Sequence, residues 1–245
     1  GQAPGRKWVV LEAQRNQGAY AVRNRAMGAA TGDFLTVNDA DDWAHPEKIA
    51  SQVTPLLESS LYATVSSMVR TLPDLTFYCW RLEERWIFRN VSSLMIKRTV
   101  LESIGYWDEI RAGADTEYYY RLLKQFGEAA IEHVKPQAPL SLQLVRENSL
   151  TQSAHTHMIT QFEGPRKWYL DAAFAWHTAH EGNLYIAAGE SNRPFYCPDI
   201  LKPVNQSNPA PNPAQKLQQS DYWNGAWYTE RYADLHEGTI EAMEH

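Results

Sequence analysis

Residues 31–43, TGDFLTVNDADDW, constrain the fold of this chain more than any other segment. Apolar and β-branched residues make positions 33–38 a predicted buried strand, and Asp39, Asp41 and Asp42 follow it directly. Like charges this close repel one another, and carboxylates are rarely buried without a partner. The segment therefore predicts a strand that ends in an acidic loop, with a positively charged partner bound there.

Strand-like and helix-like segments alternate through the first half of the chain, which is typical of an α/β fold. Three segments, residues 7–13, 33–38 and 89–97, are predicted to share one mostly parallel sheet. Residues 19–30 and 46–58 have helical spacing and are predicted to pack on that sheet as flanking helices.

The second of these helices has an apolar stripe at Ile49, Val53, Leu56 and Leu57, which predicts its buried face. Pro55 lies inside the same segment and is expected to kink or end the helix, because proline lacks the backbone N–H that an interior turn needs.

The remainder of the chain divides by composition. Residues 1–157 are predicted to form the main domain, and residues 158–200 a helical C-terminal extension. The Pro-, Asn- and Gln-rich residues 201–219 have little to bury and predict a linker. Residues 220–245 form an aromatic and charged tail.

Composition excludes several function classes. The formal net charge is −6 and no basic block stands out, which argues against a nucleic-acid partner. The sequence contains no run of 18 apolar residues, so it predicts no transmembrane helix. Cys79 and Cys197 show no pairing pattern, which favours a reducing compartment. We expect a cytoplasmic protein, with peripheral association at the inner face of the membrane as a second option.

The three aspartates have two interpretations. The carboxyl edge of an α/β sheet is where such sheets bind ligands, and carboxylate oxygens suit a hard divalent cation that keeps positions open for phosphates. Alternatively, Asp39, Asp41 and Asp42 form a turn that caps the helix beginning near Pro46. A phosphotransferase also uses D-x-D at a strand end, but Trp43 directly after Asp42 does not suit that class.

Residues 16–46 contain an ordered set of short motifs: N-x-G at Asn16, R-N at Arg23, a glycine at Gly32, D-x-D-D at Asp39 and a proline at Pro46. The set resembles the nucleotide-sugar half-site of family 2 glycosyltransferases with the GT-A fold. The resemblance implies a partial GT-A (Rossmann-like) fold. That family's first two strand motifs, which hold the base and ribose, are not found, so the chain is expected to be part of a larger protein.

A second block agrees with this resemblance. Residues 90–109 are similar to the family's acceptor-side strand and turn, and residues 113–127 to its E-D-x-[DE]-L-x-x-R-L segment. The alignment gives Asp115 the position of the family's catalytic aspartate and Glu117 the next acidic position, with Ala114 in place of the usual glutamate. Asp115 is also suited to the first turn of a helix, where the helix dipole favours an acid.

The resemblance implies an inverting transfer of a sugar from a UDP-, GDP- or dTDP-sugar to a glycan or lipid-linked acceptor, as in bacterial surface polysaccharide synthesis. Asp41, with Asp39 nearby, would hold Mg²⁺ or Mn²⁺. Asp115, or its rival Glu117, would be the general base, and Asn16 and Arg23 would lie near the nucleotide. The alternative is a catalytically inert acceptor-side or scaffolding module of a larger glycosyltransferase.

Two histidines extend this resemblance. Some GT-A enzymes take a third metal ligand from a histidine in the region of His155 and His157, and imidazole is a suitable ligand. A polar loop explains the same two residues equally well.

Overall fold

The computed structural model describes residues 9–13, 16–79, 86–145, 160, 162–189 and 192–203. Five α-helices lie in this part of the chain. They are α1 (Ala19–Ala29), α2 (Lys48–Glu58), α3 (Arg98–Ile104), α4 (Ala114–Phe126) and α5 (Pro165–Ala179). None of these helices combines the length and apolar character needed to cross a membrane.

The described strands form one sheet with α-helices packed against it. They are β1 (Phe34–Leu35), β2 (Trp43–Ala44), β3 (Ala63–Thr71), β4 (Phe77–Tyr78), β5 (Phe88–Lys97), β6 (Ile131–His133) and β7 (Pro139–Leu144). The main path through the sheet is β1-β5-β3-β7-β2, and β4 and β6 also pair with β3. The predicted α/β class is therefore confirmed.

Strand direction differs from the predicted, mostly parallel arrangement. β3 pairs in parallel with β6 and β7, whereas its pairings with β4 and β5, and those of β1 with β5 and β2 with β7, are antiparallel. An apolar run indicates that a strand is buried, but not whether it is parallel or antiparallel to its neighbours. The sequence pattern could therefore not separate a parallel from an antiparallel sheet. Residues 9–13 form no regular strand, and residues 7 and 8 lie outside the described residues.

The acidic loop crosses the sheet. β1 and β2 end the path β1-β5-β3-β7-β2, yet only residues 36–42 connect them. Four strand spacings amount to about 19 Å in a flat sheet, and seven residues reach about 25 Å when fully extended. The loop also contains a turn in which the Asp42 N–H donates to the Asp39 carbonyl at 3.2 Å. The loop therefore has little length to spare, which favours a curled sheet over a flat one.

The buried face of α2 differs from the predicted apolar stripe. Ile49 and Leu57 are exposed, and the buried positions are Lys48, Gln52 and Leu56, one turn apart. The Gln52 side-chain amide donates to the Ser93 carbonyl at 2.8 Å, which pays part of the desolvation of this polar face. Hydrogen bonding by polar side chains, together with the apolar Leu56, therefore selects the side of α2 that is buried.

Pro55 does not end α2, because the helix continues to Glu58. Leu56 is fully buried directly after the proline. The Pro55 carbonyl also has a partner, because the Ser59 hydroxyl donates to it at 2.6 Å. Tertiary burial at Leu56 thus overrides the local preference of proline against the helix interior.

The C-terminal extension packs on the rest of the described chain. Cys197 and Leu201 belong to the buried core together with residues of β3, β5 and α4. Leu201 is fully buried, and its carbonyl accepts from the Arg111 N–H at 2.7 Å. Packing therefore continues through Leu201, the first residue of the predicted linker. The remaining linker and tail residues from 204 onward lie outside the described residues.

Gly105 joins α3 to the extension. Its φ is +75°, and it forms a parallel bridge with Ile186. The neighbouring Tyr106 N–H donates to the Ile186 carbonyl at 2.8 Å. A Cβ at position 105 would lie 2.0 Å from that same carbonyl oxygen. Only glycine fits here, for both conformational and steric reasons.

We predict that Gly105→Ala destabilises the protein far more than Gly127→Ala. Gly127 also has a positive φ, +93°, but a Cβ there would meet nothing within 4 Å. The control should cost only the backbone strain, about 1–3 kcal/mol, and Gly105→Ala should cost clearly more because the Ile186 backbone must move. Urea unfolding of both variants measures the difference, and equal destabilisation would contradict the proposed close approach.

Candidate functional site

The acidic loop lies at the carboxyl end of β3 and β7. β1 runs parallel to β3, since both pair antiparallel with β5, and the chain leaves β1 at that end. The N–H of Leu144, the last residue of β7, lies 3.4 Å from an Asp42 carboxylate oxygen. The loop therefore occupies the edge at which α/β sheets bind ligands.

Asp42 and Lys48 occupy the less exposed side of the loop. Burial, together with the charges of Asp39 and Asp41, raises the pKa of Asp42 to about 6. Burial lowers the pKa of Lys48, while the charges of Asp42 and Asp39 act in the opposite direction. The Lys48 ammonium donates to the Asn38 side-chain oxygen at 3.2 Å. A buried cation therefore lies beside the aspartates, as the repulsion within the loop requires.

Arg23 supplies the second cation. It extends from α1 and forms a salt bridge with Asp39. Burial by itself would lower the pKa of Arg23, but the charge of Asp39 and the nearby Tyr20 hydroxyl raise it overall. The positive partner expected from the sequence is thus supplied by two side chains, Arg23 and Lys48. Asp41 is exposed and has neither of them as an ion-pair partner.

Asp115 lies at the start of α4 and is held by two hydroxyl groups. Tyr20 donates to one carboxylate oxygen at 3.0 Å, and Ser92 donates to the other at 2.9 Å. Burial, and next the charge of Asp115, raise the pKa of Tyr20, so its phenol stays neutral and acts as a donor. The carboxylate is half-buried, oriented at both oxygens, and lies near the positive end of the α4 dipole.

A chain of contacts joins Asp115 to the acidic loop. The Arg23 guanidinium carbon lies 5.3 Å from the centroid of the Tyr20 ring, a cation–π arrangement. Arg23 contacts Asp39 on one side, and Tyr20 contacts Asp115 on the other. The structure therefore brings together Arg23, Asp39 and Asp115, three of the residues selected from the sequence.

Glu117 lies elsewhere. Its side chain is completely buried, and it forms an ion pair with Arg121 at 2.9 Å and a contact with His177 Nε2 at 2.9 Å. Arg121 also donates to the backbone carbonyls of Ile104 and Tyr106, both at 2.6 Å. A carboxylate enclosed in this way is closed to an acceptor hydroxyl, so the geometry separates Glu117 from the Asp115 site.

Asn16 and Asn24 have local structural roles. The Asn16 side-chain oxygen accepts from the Gly18 N–H at 3.0 Å, a turn that begins α1. Asn24 is buried, donates to the Trp107 carbonyl at 2.8 Å and accepts from the Trp107 N–H at 3.1 Å. Asn24 thus fixes α1, with Tyr20 and Arg23 on it, to the turn after α3. The contacts of Asn16 account for its position without a ligand.

A divalent cation would find carboxylates at this site but no complete set of protein ligands. Among the described residues, no three His, Cys, Asp or Glu side chains are grouped closely enough to hold a metal ion. Asp41 and the partly exposed Asp39 are nevertheless hard oxygen donors of the kind that Mg²⁺ takes together with substrate phosphates. His155 and His157 lie outside the described residues.

Sequence reasoning missed Tyr20, Ser92 and Lys48. Tyr20 and Lys48 lie in segments with strong helical patterns, where an aromatic or a lysine is ordinary, and Ser92 is one of two adjacent serines in a strand. The available signal was the unbalanced charge of the acidic loop, which required nearby cations. Lys48 lies outside the predicted apolar stripe of α2, and the charge imbalance alone does not say which cation balances it.

Comparison with known proteins supports the sequence resemblance. Residues 3–109 match the family described as Glycosyl transferase family 2, and the mixed α/β sheet agrees with a partial GT-A fold. Asn16, Arg23, Asp39 and Asp41 fall within the match, and Asp115 lies beyond it. A search of curated proteins finds no match to this chain. Over residues 3–109, the chain is therefore similar to glycosyl transferase family 2.

Proposed function

We propose that this chain carries the catalytic residues of an inverting glycosyltransferase that moves a sugar from a nucleotide diphosphate donor to a hydroxyl acceptor. The observation that supports this most directly is the contact chain Asp39–Arg23–Tyr20–Asp115. This chain of contacts joins Arg23 and Asp39, on the proposed side of the nucleotide donor, to the oriented carboxylate of Asp115, on the proposed side of the acceptor. A single displacement needs both sides at one sugar carbon, and it inverts the configuration of that carbon.

The donor side is proposed to bind the diphosphate. Arg23 offers a guanidinium whose planar donors suit phosphate oxygens, and it is held at the loop by Asp39. Asp41, with Asp39 nearby, would hold Mg²⁺ or Mn²⁺, which neutralises the charge of a departing diphosphate when bound. Arg23 is already paired, so a bound diphosphate would share this cation with Asp39.

Asp115 is proposed as the general base. Its carboxylate would accept the proton of the acceptor hydroxyl while the hydroxyl oxygen attacks the anomeric carbon. Tyr20 and Ser92 fix the rotation of this carboxylate, so one oxygen lone pair can be aimed at the acceptor without a further ordering cost. Their neutral hydroxyl groups donate to the ionised form, which is the form that accepts a proton.

We expect Asp41→Ala to abolish metal-dependent nucleotide binding with little change in stability, because Asp41 is exposed and its removal relieves repulsion within the loop. The measurement is calorimetric titration with UDP, GDP and dTDP, each with and without Mn²⁺. Asp33→Ala, which removes an exposed aspartate at the opposite end of β1, is the control. Unchanged metal-dependent binding in Asp41→Ala would remove this residue from the site.

The same titration separates the two functions considered from the sequence. Saturable, metal-dependent binding of a nucleotide to the unaltered chain is expected for the enzyme. No binding of any of the three nucleotides would favour the catalytically inert module instead.

We expect Asp115→Asn and Glu117→Gln to have opposite effects. Asp115→Asn should reduce sugar transfer about a hundredfold to ten-thousandfold, the usual range for a general base. Glu117→Gln should retain transfer per folded molecule but lose about 3 kcal/mol or more of stability, because Arg121 then lacks its buried partner. Transfer assays and thermal unfolding of both variants provide the comparison. Loss of transfer in Glu117→Gln alone would identify Glu117 as the base.

We expect Tyr20→Phe to lower turnover about ten- to a hundredfold and to leave the donor KM unchanged. Hydrogen bonds to charged groups contribute about 1.5–3 kcal/mol, and this substitution removes one from Asp115 while keeping the ring. Tyr118→Phe is the matched control, because Tyr118 is also buried and packs on Trp107, but its hydroxyl donates to the Gly105 carbonyl. Equal turnover losses in both variants would contradict a specific role for Tyr20.

A further inference from the structure

A cavity of about 270 Å³ lies in the C-terminal extension, between the end of α5 and the segment that follows. Three aromatic residues line it, Trp176, His180 and Tyr185, together with Asn183 and Asn192. The remaining lining residues are aliphatic. None of the described lining residues is a Lys, Arg, Asp or Glu, so the cavity offers neutral hydrogen-bonding groups beside ring faces.

The aromatic wall is held in place before any ligand binds. Trp176 stacks on Phe195, with the ring centroids 5.3 Å apart and the planes 29° apart. The His180 ring lies 5.8 Å from Trp176 on the same wall. A ring that is already held by neighbouring rings can receive an apolar surface with little reordering.

A second part of the lining, around Ile186, is fixed to the main domain. Ile186 bonds to the backbone on both sides of Gly105, where a side chain has no room. The Leu184 N–H donates to the Gln125 side chain at 3.1 Å, and Arg121 donates to the Leu184 carbonyl at 3.3 Å. Tyr185, about half exposed, lies between these two anchored residues. This part of the lining is therefore anchored to α3 and α4 by hydrogen bonds.

We propose that this cavity binds one sugar ring of a glycan. A pyranose has an apolar face that packs on an aromatic ring and a rim of hydroxyl groups that pair with amides and imidazole, which matches the lining. The lining residues that the structure describes carry no formal charge, so this part of the cavity suits a neutral ligand better than a phosphate, carboxylate or amine. The volume lies just below the range of about 300–1,000 Å³ found for drug-sized ligands, which suits a single ring.

The biological source of that ring rests on the proposed function. If the chain transfers sugars to a growing glycan, the acceptor is itself a chain of sugars, and a second site for one of its rings would hold it on the enzyme. Such a site raises the effective concentration of the acceptor near Asp115 without taking part in the chemistry. We therefore assign the cavity to the acceptor glycan and not to the nucleotide donor.

The test is NMR titration of the whole chain, using the tryptophan indole N–H signals and the Trp176→Phe variant to assign the signal of Trp176. The probes are the methyl glycosides of glucose, galactose, mannose, rhamnose, N-acetylglucosamine and N-acetylgalactosamine. Uridine is titrated separately to test whether the cavity prefers a nucleoside to a pyranose. At least one glycoside should shift the Trp176 signal saturably with a Kd of about 1–10 mM, as expected for about a dozen non-hydrogen atoms at modest ligand efficiency.

Two variants make the result specific to the cavity. Tyr185→Ala and Asn183→Ala alter exposed lining residues, so the fold should be retained, and each should weaken glycoside binding at least tenfold. Trp43→Ala removes an exposed tryptophan on β2 that does not line the cavity and should bind as the unaltered chain does. No saturable shift with any glycoside, a shift with uridine alone, or equal Kd values in all variants would overturn the proposal.

Failure of this proposal and failure of the proposed function give different results. The titration uses no nucleotide and no transfer reaction, so glycoside binding can be present in a chain that binds no UDP, GDP or dTDP. That outcome would support the sugar-binding cavity and contradict the proposed glycosyltransferase. Nucleotide binding without a glycoside shift would support the glycosyltransferase and contradict the sugar-binding cavity.

Discussion

The acidic loop is the constraint on which the rest of the structure depends. Residues 36–42 connect the two ends of the sheet path with little length to spare, which favours a curled sheet. The loop brings three carboxylates to one place, and their repulsion must be balanced within the same few residues. Arg23 from α1 and Lys48 from α2 supply that balance on two sides. The helices that follow and precede the loop are thereby fixed by charge as well as by packing.

Helix α1 turns that local balance into a two-sided site. Arg23 and Tyr20 are three residues apart and lie on neighbouring positions of one helical face. Asn24 fixes the same helix to the backbone of Trp107 through a pair of buried hydrogen bonds. Because α1 has little room to rotate, the guanidinium and the phenol reach the acidic loop and Asp115 together. The coupling of donor and acceptor sides therefore depends on one short helix.

The sequence predicted the elements better than their arrangement. The periodicity of residues 19–30 and 46–58 located α1 and α2 to within two residues of their ends. The pairing of β5 with β1 and β3 depends on contacts far apart in the chain, and the apolar runs do not encode its direction. The predicted buried face of α2 was confirmed at Leu56 and wrong at Ile49 and Leu57. Lys48 and Gln52 are buried through hydrogen bonds, which a pattern of apolar residues does not report.

The motifs identified the residue types of the candidate site, and geometry then separated their roles. Asp115 and Glu117 are both acids in the first turn of α4, but two helical positions place them about 200° apart. One faces Tyr20 of α1 and Ser92 of β5, and the other faces Arg121 and the His177 of α5 in the core. The second carboxylate neutralises a buried arginine that binds α3 and the extension to α4. Burial of Glu117 therefore stabilises the helix that presents Asp115, and the C-terminal extension contributes to the site without reaching it.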